Sequence, residues 1–303
     1  MKEGACPVCG HVSRRRILSL RDYETDHQDL FDLYECGQCG LLFVHPQPSF
    51  DALRKFYPEF FSCYNENHFP GARLLWQVLR KQEMRRLMRF LPPSGSILDV
   101  GCADASFLDM LKGRAAHRYG IEMDDKMAEL AASRLGKENI VHGFLETVDA
   151  PFRNIDVVRI NHVIEHFADP VLALRKINGF LKKGGYVVGE TPNVDCLDRH
   201  LFGRFWGGYS VPRHLCLFSR RSLEELFRRT GFELIRMEPR LMTLGWSGGL
   251  QNLCVHLLNL RPPHTGRFRG YPLFILMTLP FTFLQSLLGK TGVTGFVARR
   301  VSS

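Results

Sequence analysis

At 303 residues the chain is long enough for about two domains and for a core of its own, which sets aside a small scaffold held by staples. Hydrophobic residues at 45% and charged residues at 23% exclude wholesale disorder. A net charge of +9 favours acidic partners such as phosphates or anionic lipid and says nothing about fold. The opening residues, Met1 to Cys6, lack the apolar run of an export signal, so the nine cysteines are expected as reduced thiols or metal ligands in the cytoplasm.

Residues 1–48 form one compositional block, closed by Pro46-Gln47-Pro48. Within it Cys6-Pro7-Val8-Cys9-Gly10 and Cys36-Gly37-Gln38-Cys39-Gly40 are separated by 26 residues. Each Cys-x-x-Cys-Gly is a tight turn that faces two thiolates toward one ion. Four thiolates fill a tetrahedral shell, so Cys6, Cys9, Cys36 and Cys39 are expected to hold a structural zinc. His11, His27 and His45 are then left as loop residues. A helical linker and cap follows over 49–95, with Leu53, Phe56 and Phe60 on one face and Leu75, Leu79, Leu87 and Leu91 continuing the pattern. Pro92-Pro93-Ser94-Gly95 stops it.

From residue 96 strands and helices alternate. Ile97–Val100, Tyr119–Ile121, Ile155–Ile160 and Tyr186–Glu190 read as apolar strands, with helices expected over 104–113 and 124–135. Asp169-Pro170 opens a helix that Gly184-Gly185 is expected to close, and Ser222-Leu223-Glu224-Glu225 fits a capping box on a helix closed by Gly231. Such alternation implies right-handed crossovers, hence an α/β fold with a Rossmann-like, mostly parallel sheet. Phe232–Arg236 and Thr294–Arg299 are late strands, the last expected to be antiparallel.

Before the last strand lies an apolar insertion, 246–290. Tyr271–Gly289 carries no charge over 19 positions, close to the ~20 residues that span a bilayer. Pro272 and Pro280 interrupt it, and a true span would pull the last strand from its sheet. The expectation is therefore a helical hairpin with Leu250–Leu260. It packs on the domain or dips into one leaflet, with Arg261, Arg267, Arg269 and Lys290 near anionic headgroups. A dimer interface or core helix is the alternative.

The most informative run is Ile97-Leu98-Asp99-Val100-Gly101-Cys102-Ala103-Asp104-Ala105-Ser106: a strand, an acid two residues before a glycine, small residues, then a helix. A dinucleotide fingerprint needs glycine at 103 and 106 as well, and the acid suits a cationic ligand group instead. Glu122 ends the next strand 21 residues after Gly101, where a carboxylate can hold the two hydroxyls of a ribose. Together with Asn161-His162-Val163-Ile164-Glu165-His166, Leu181-Lys182-Lys183-Gly184-Gly185, Thr191-Pro192-Asn193 and Pro212-Arg213-His214, these residues resemble the class I S-adenosylmethionine-dependent methyltransferases over about 72–239 plus the last strand. The paired knuckles narrow the resemblance to bacterial enzymes with an N-terminal zinc ribbon, among them deoxysugar and polysaccharide-associated methyltransferases. Glu165-His166 is similar to quinone-biosynthesis O-methyltransferases.

The resemblance implies a seven-stranded sheet. It also implies cofactor contact by Asp99, Gly101, Cys102, Ala103, Glu122, Met123, Phe144, Leu145 and Asn161. Two departures stand out: Ala103 and Ala105 replace loop glycines, and Phe144 replaces an adenine-contacting acid. Quinone-type relatives hold magnesium with Glu-x-x-Glu-His, but here the first position is His162. Methyl transfer from a sulfonium needs alignment and a base only where the acceptor must lose a proton, for which His162, His214 and His166 are the candidates. The leading reading is a methyltransferase acting on a small or lipid-linked acceptor, a sugar before others, by O- or C-methylation. A lid over 195–218, rich in aromatics and arginine, suits a sugar or a phosphate-bearing substrate or packs against the cysteine module. An RNA methyltransferase is the second reading. It lacks the Asn/Asp-Pro-Pro-aromatic run of base methylases, and no basic helix stands out, so nucleic acid is not the expected partner. A binding protein that lost turnover through the two alanines is the third.

Overall fold

The computed structural model describes residues 4–57, 70–262, 266–268 and 270–301, with the backbone alone over 70–76. Phe60 and Arg269 fall outside the described residues, as does the side chain of Leu75. In chain order the elements are β1 (Arg14–Arg21), β2 (Leu30–Cys36), β3 (Leu42–Val44), α1 (Phe50–Arg54), α2 (Pro70–Leu87), β4 (Ser96–Val100), α3 (Ser106–Asp109), β5 (His117–Glu122), α4 (Asp125–Leu135) and β6 (Ile140–His142). They continue with β7 (Ile155–Asn161), α5 (Pro170–Phe180), β8 (Leu181–Pro192), α6 (Leu197–Phe202), β9 (Cys216–Leu217), α7 (Arg220–Arg229), β10 (Phe232–Arg240), α8 (Leu244–Leu257), α9 (Tyr271–Leu287) and β11 (Val293–Arg300).

Seven strands form one sheet in the order β10-β11-β8-β7-β4-β5-β6. Pairings among β6, β5, β4, β7 and β8 are parallel. β11 runs antiparallel between β8 and β10, as the sequence required of the last strand. β4 is buried at every position, which is why Ile97, Leu98 and Val100 form an apolar run rather than an alternating one. Consequently the ends of β4, β5 and β7 converge on one edge of the sheet, where ligands bind in such folds.

Three local expectations are corrected. The helix expected over 104–113 shrinks to α3, because Ala105 before it is left-handed and offers no side-chain cap, while Gly113 beyond it is left-handed at φ 76°. α5 ends at Phe180 rather than at Gly184: Leu181 is already extended and pairs with Ile155, and Gly184 serves an irregularity inside β8. The capping box of α7 lies three residues earlier than expected. Ser219 Oγ accepts the Ser222 amide at 3.1 Å and Ser222 Oγ accepts the Ser219 amide at 2.9 Å.

The N-terminal strands are not a free-standing sheet. β1, β2 and β3 are joined by β9, through Leu42 opposite Leu217 and Phe43 opposite Cys216. Arg213, 3% exposed, clamps the two parts further: it donates to both oxygens of Asp22, to Glu24 and to the Phe56 carbonyl. Arg267 pairs with the same Glu24.

Candidate active site

The loop after β4 takes the backbone shape that glycines would favour, but builds it with alanine. Gly101, Ala103 and Ala105 have φ of 73°, 48° and 57°. A Cβ at Gly101 would lie 2.6 Å from Val163 Cγ2, so glycine is obligatory there. The alanines carry about 1–2 kcal/mol of left-handed strain each. Glu122 anchors the loop: its carboxylate accepts the amides of Ala103 at 2.8 Å and of Met123 and Asp124 at 2.9 Å. Burial pushes the Glu122 pKa up against those three amides. A carboxylate offers about four lone-pair sites, so one remains for a ligand hydroxyl, and gripping both would displace an amide.

Asp99 is placed otherwise than expected. It is fully buried, and both its oxygens accept from Arg159 at 2.9 Å. Burial raises its pKa to about 6 although Arg159 pulls the other way. Asp99 thus holds the strand end rather than offering a free anion. Arg159 was not singled out from the sequence, yet a charge inside Ile155–Ile160 was the available signal, since buried charges are paired. It also binds Glu83 at 2.6 Å and lies over the Phe107 ring. Cys102 and Leu145 are buried and Met123 is half-buried. Phe144 meets Phe50 edge-on at 3.8 Å, so α1 covers this side of the edge. Asn161 is half-buried at the end of β7.

The three histidines gather around Glu165. This carboxylate is wholly buried, accepts from Thr191 Oγ1 at 3.0 Å, and faces His162 Nδ1 at 3.4 Å. Burial raises its pKa, but the adjoining His162 imidazole and the charges of His166 and His214 outweigh that and hold it at about 2. His162 sits at φ 53°, a backbone region that costs a non-glycine residue and that clusters at functional sites. Its pKa is lowered by burial and raised more strongly by Glu165, helped by Glu190 and Glu83, so it ends above the ordinary histidine value. Its Nε2 is buried and has no hydrogen-bond partner.

His166 and His214 lie with ring centroids 4.9 Å apart. The His166 Nδ1 donates to the Arg213 carbonyl at 2.9 Å beside Tyr57 Oη at 3.0 Å, and the His214 Nδ1 donates to the Gly208 carbonyl at 2.9 Å. These bonds assign the tautomer and leave each Nε2 as an acceptor. Burial lowers both pKa values, that of His214 to about 3 with His166 adding to it. Glu165, His166 and His214 also present ligand atoms within 4.8 Å of one another. Tyr57 enters from the N-terminal segment, where no spacing announced it.

The lid arginines are committed elsewhere. Arg199 donates to Tyr209 and the Val194 carbonyl, Arg204 to the Ser19 carbonyl, Arg213 to Asp22 and Glu24, and Arg220 to Glu224. Trp206 and Tyr209 are buried against each other, and Phe205 packs on Tyr23. The packing reading of 195–218 therefore prevails over the phosphate-binding one.

Cys6, Cys9, Cys36 and Cys39 are all buried, and their sulfur atoms lie within 4.8 Å of one another. Sγ–Sγ distances are 3.6 Å for Cys6–Cys39 and 3.4 Å for Cys9–Cys36. A tetrahedral zinc with bonds of about 2.3 Å sets sulfurs about 3.8 Å apart, so the donor set and spacing fit a metal. Gly10 and Gly40 close the knuckles at φ 74° and 73°.

A parallel sheet ending in one inserted antiparallel strand, with a left-handed loop after β4 and an acid at the end of β5, defines the Rossmann-like methyltransferase fold. The family model described as a methyltransferase domain matches residues 75–237, and the chain belongs to that family. A Mycolicibacterium smegmatis protein described as a probable S-adenosylmethionine-dependent methyltransferase is 27% identical over 138 residues, 46% of this chain and 52% of that one. The ubiquinone biosynthesis O-methyltransferase of Nitrosomonas europaea is 30% identical over 103 residues, 32% of this chain and 44% of its own length. The chain thus spans about half the length, or less, of these relatives. A solved SAM-dependent methyltransferase from Archaeoglobus fulgidus is 18% identical with a TM-score of 0.49, covering 74% of this chain and 93% of that chain.

Proposed function

We propose that the chain is an S-adenosylmethionine-dependent methyltransferase that methylates oxygen or carbon of a small or lipid-linked acceptor, a sugar before other classes. We place it in the cytoplasm, with a structural zinc on Cys6, Cys9, Cys36 and Cys39. The four-cysteine module supports the sugar class, through the resemblance it carries. The Nitrosomonas relative's name supports a small acceptor methylated on oxygen. Bound S-adenosylmethionine supplies an electrophilic methyl carried on a sulfonium. Gly101, Cys102, Ala103, Met123, Phe144, Leu145 and Asn161 line its place, Glu122 holds a ribose hydroxyl, and Asp99 keeps the loop in position through Arg159.

The observation that carries the reading is the unpartnered, buried Nε2 of His162 at the end of β7. Backed by the ionised Glu165, it takes a proton from the acceptor, and the carboxylate stabilises the imidazolium that forms. His166 and His214 remain neutral and present acceptor nitrogens that orient substrate hydroxyls. The test incubates the protein with S-adenosylmethionine tritiated in its methyl group and a cell extract, then separates lipid, nucleotide-sugar and RNA fractions. Label in the lipid or sugar fraction, reduced about 100-fold in His162→Ala while cofactor affinity holds, supports the assignment. Label in RNA, or full turnover by the variant, refutes the acceptor class or the base respectively.

A further inference from the structure

α9 is built inside out. The residues it buries are Tyr271, Thr278, Thr282 and Gln285, while Leu273, Leu276, Met277, Phe281, Leu284 and Leu287 are 54–69% exposed. At about 100° per residue those six fall within an arc of about 140°, opposite the polar stripe. The buried polar groups are satisfied within the protein. Gln285 donates to Asp198 Oδ1 and accepts from Trp246 Nε1, each at 2.5 Å, and Tyr271 Oη meets Ser247 Oγ at 2.8 Å. α8 packs equally closely through small residues: a Cβ on Gly248 would lie 3.1 Å from Gly207 Cα, and one on Gly245 would collide with Asp198. α8 then ends with Leu257 and Leu258, 69% and 66% exposed. Water would favour the opposite arrangement, whereas a hydrocarbon boundary favours this one.

The charge pattern names the occupant. No acidic residue follows Glu238; of the cations that do, Arg240 pairs with Glu190 and Glu238, Arg267 with Glu24 and Arg299 with Glu233. Arg261 and Lys290 are exposed and flank the two ends of α9. A second copy docked here would oppose two acid-free cationic segments, and the exposed arc has no polar group to fix its register. α9 has 17 residues, about 25 Å, short of the ~30 Å of a hydrocarbon core, and no helix among the described residues is long and apolar enough to cross a membrane.

We infer that α9 and the end of α8 dock the protein on an anionic lipid bilayer, α9 lying in the plane of the interface with its apolar arc in the acyl boundary. Asp198 and Asn252, which binds the Phe205 carbonyl at 3.1 Å, tie this pair to the lid that carries His214. The docking goes beyond the methyltransferase reading and stands without it.

The test is flotation of the full chain with vesicles of phosphatidylcholine alone or containing one-third phosphatidylglycerol, with S-adenosylmethionine binding measured on the same samples. We expect flotation with the anionic vesicles only, weakened by 0.5 M salt. It should fall about tenfold in Phe281→Glu/Leu284→Glu, while Leu130→Glu on the exposed side of α4 changes nothing. Cofactor affinity and melting temperature should hold in all variants. Flotation that the double substitution leaves intact, no flotation by a protein that binds cofactor, a dimer that the same substitutions dissolve, or carbonate-resistant insertion would each overturn the proposal.

Discussion

His162 occupies a strained backbone, with one nitrogen against Glu165 and the other without a hydrogen-bond partner. Glu165 raises the imidazole pKa, so the acidic limb of the pH profile of kcat/KM should lie above the ordinary histidine value of about 6.5. Glu165→Gln removes that support, and the limb should move to lower pH while kcat falls; a limb that stays in place refutes the pairing. His166 and His214 act on stability with a definite sign. Held neutral in the fold with lowered pKa values, they bind fewer protons than the unfolded chain between about pH 3 and 6.5. Stability is therefore complete above that window and lost as pH falls through it. His214→Phe should shrink the drop in melting temperature between pH 7.5 and 5, and an unchanged drop would remove His214 from the account. At the loop, Ala103→Gly should relieve about 1–2 kcal/mol of strain against about 0.5–1 kcal/mol of added unfolded-state freedom, a net gain near 1 kcal/mol by denaturant titration. Ala105→Gly should be close to neutral, because the same relief is offset by a fully buried methyl worth about 0.8 kcal/mol. The histidines were legible as strand-end residues. Their division into one supported imidazole and two neutral ones was not, because it depends on carbonyls of Gly208 and Arg213 that no motif marks.

Among the elements, β4, β7 and β8 were readable as apolar runs because a parallel sheet covered on both faces leaves no polar side to alternate with, while β5 and the antiparallel β11 were readable from shorter apolar stretches. α3, the end of α5 and the cap of α7 were misplaced where a backbone conformation or a second serine outweighed local propensity. Equally hidden was the joining of β9 to the N-terminal sheet and the burial of Arg213 between Asp22 and Glu24, since both partners lie almost two hundred residues away. This joint has a consequence for the metal. Cys9→Ser should lose about one zinc per chain by metal analysis, and protection of backbone amides should fall in β1–β3 and also around 209–217. Loss confined to residues before 48 would contradict the shared sheet. Removing Arg213 leaves the buried Asp22 uncompensated and Glu24 with Arg267 alone, so Arg213→Met should cost about 3–5 kcal/mol, far more than an exposed pair such as Arg15–Glu35.

For the molecule as a whole, the alternation of strands and helices with one late antiparallel strand constrained the fold strongly, and the knuckle spacing marked the four thiols. Composition was less informative about the insertion: its apolar character was plain, but which residues of α9 turn outward depends on the polar contacts of Gln285 with Asp198 and Trp246 and of Tyr271 with Ser247. The lid shows the same limit, since its arginines suit an anionic ligand by composition and serve packing by geometry. The acceptor therefore rests on the histidine cluster, and the cofactor on the loop closed by Glu122. Calorimetric titration of S-adenosylmethionine into the full chain and into Glu122→Ala, with melting temperatures recorded for both, tests that loop most directly. Saturable binding by the natural chain at one site, weakened by about 1–3 kcal/mol in the folded variant, is the predicted result. No binding by the natural chain, or equal affinity in the two proteins, would contradict it.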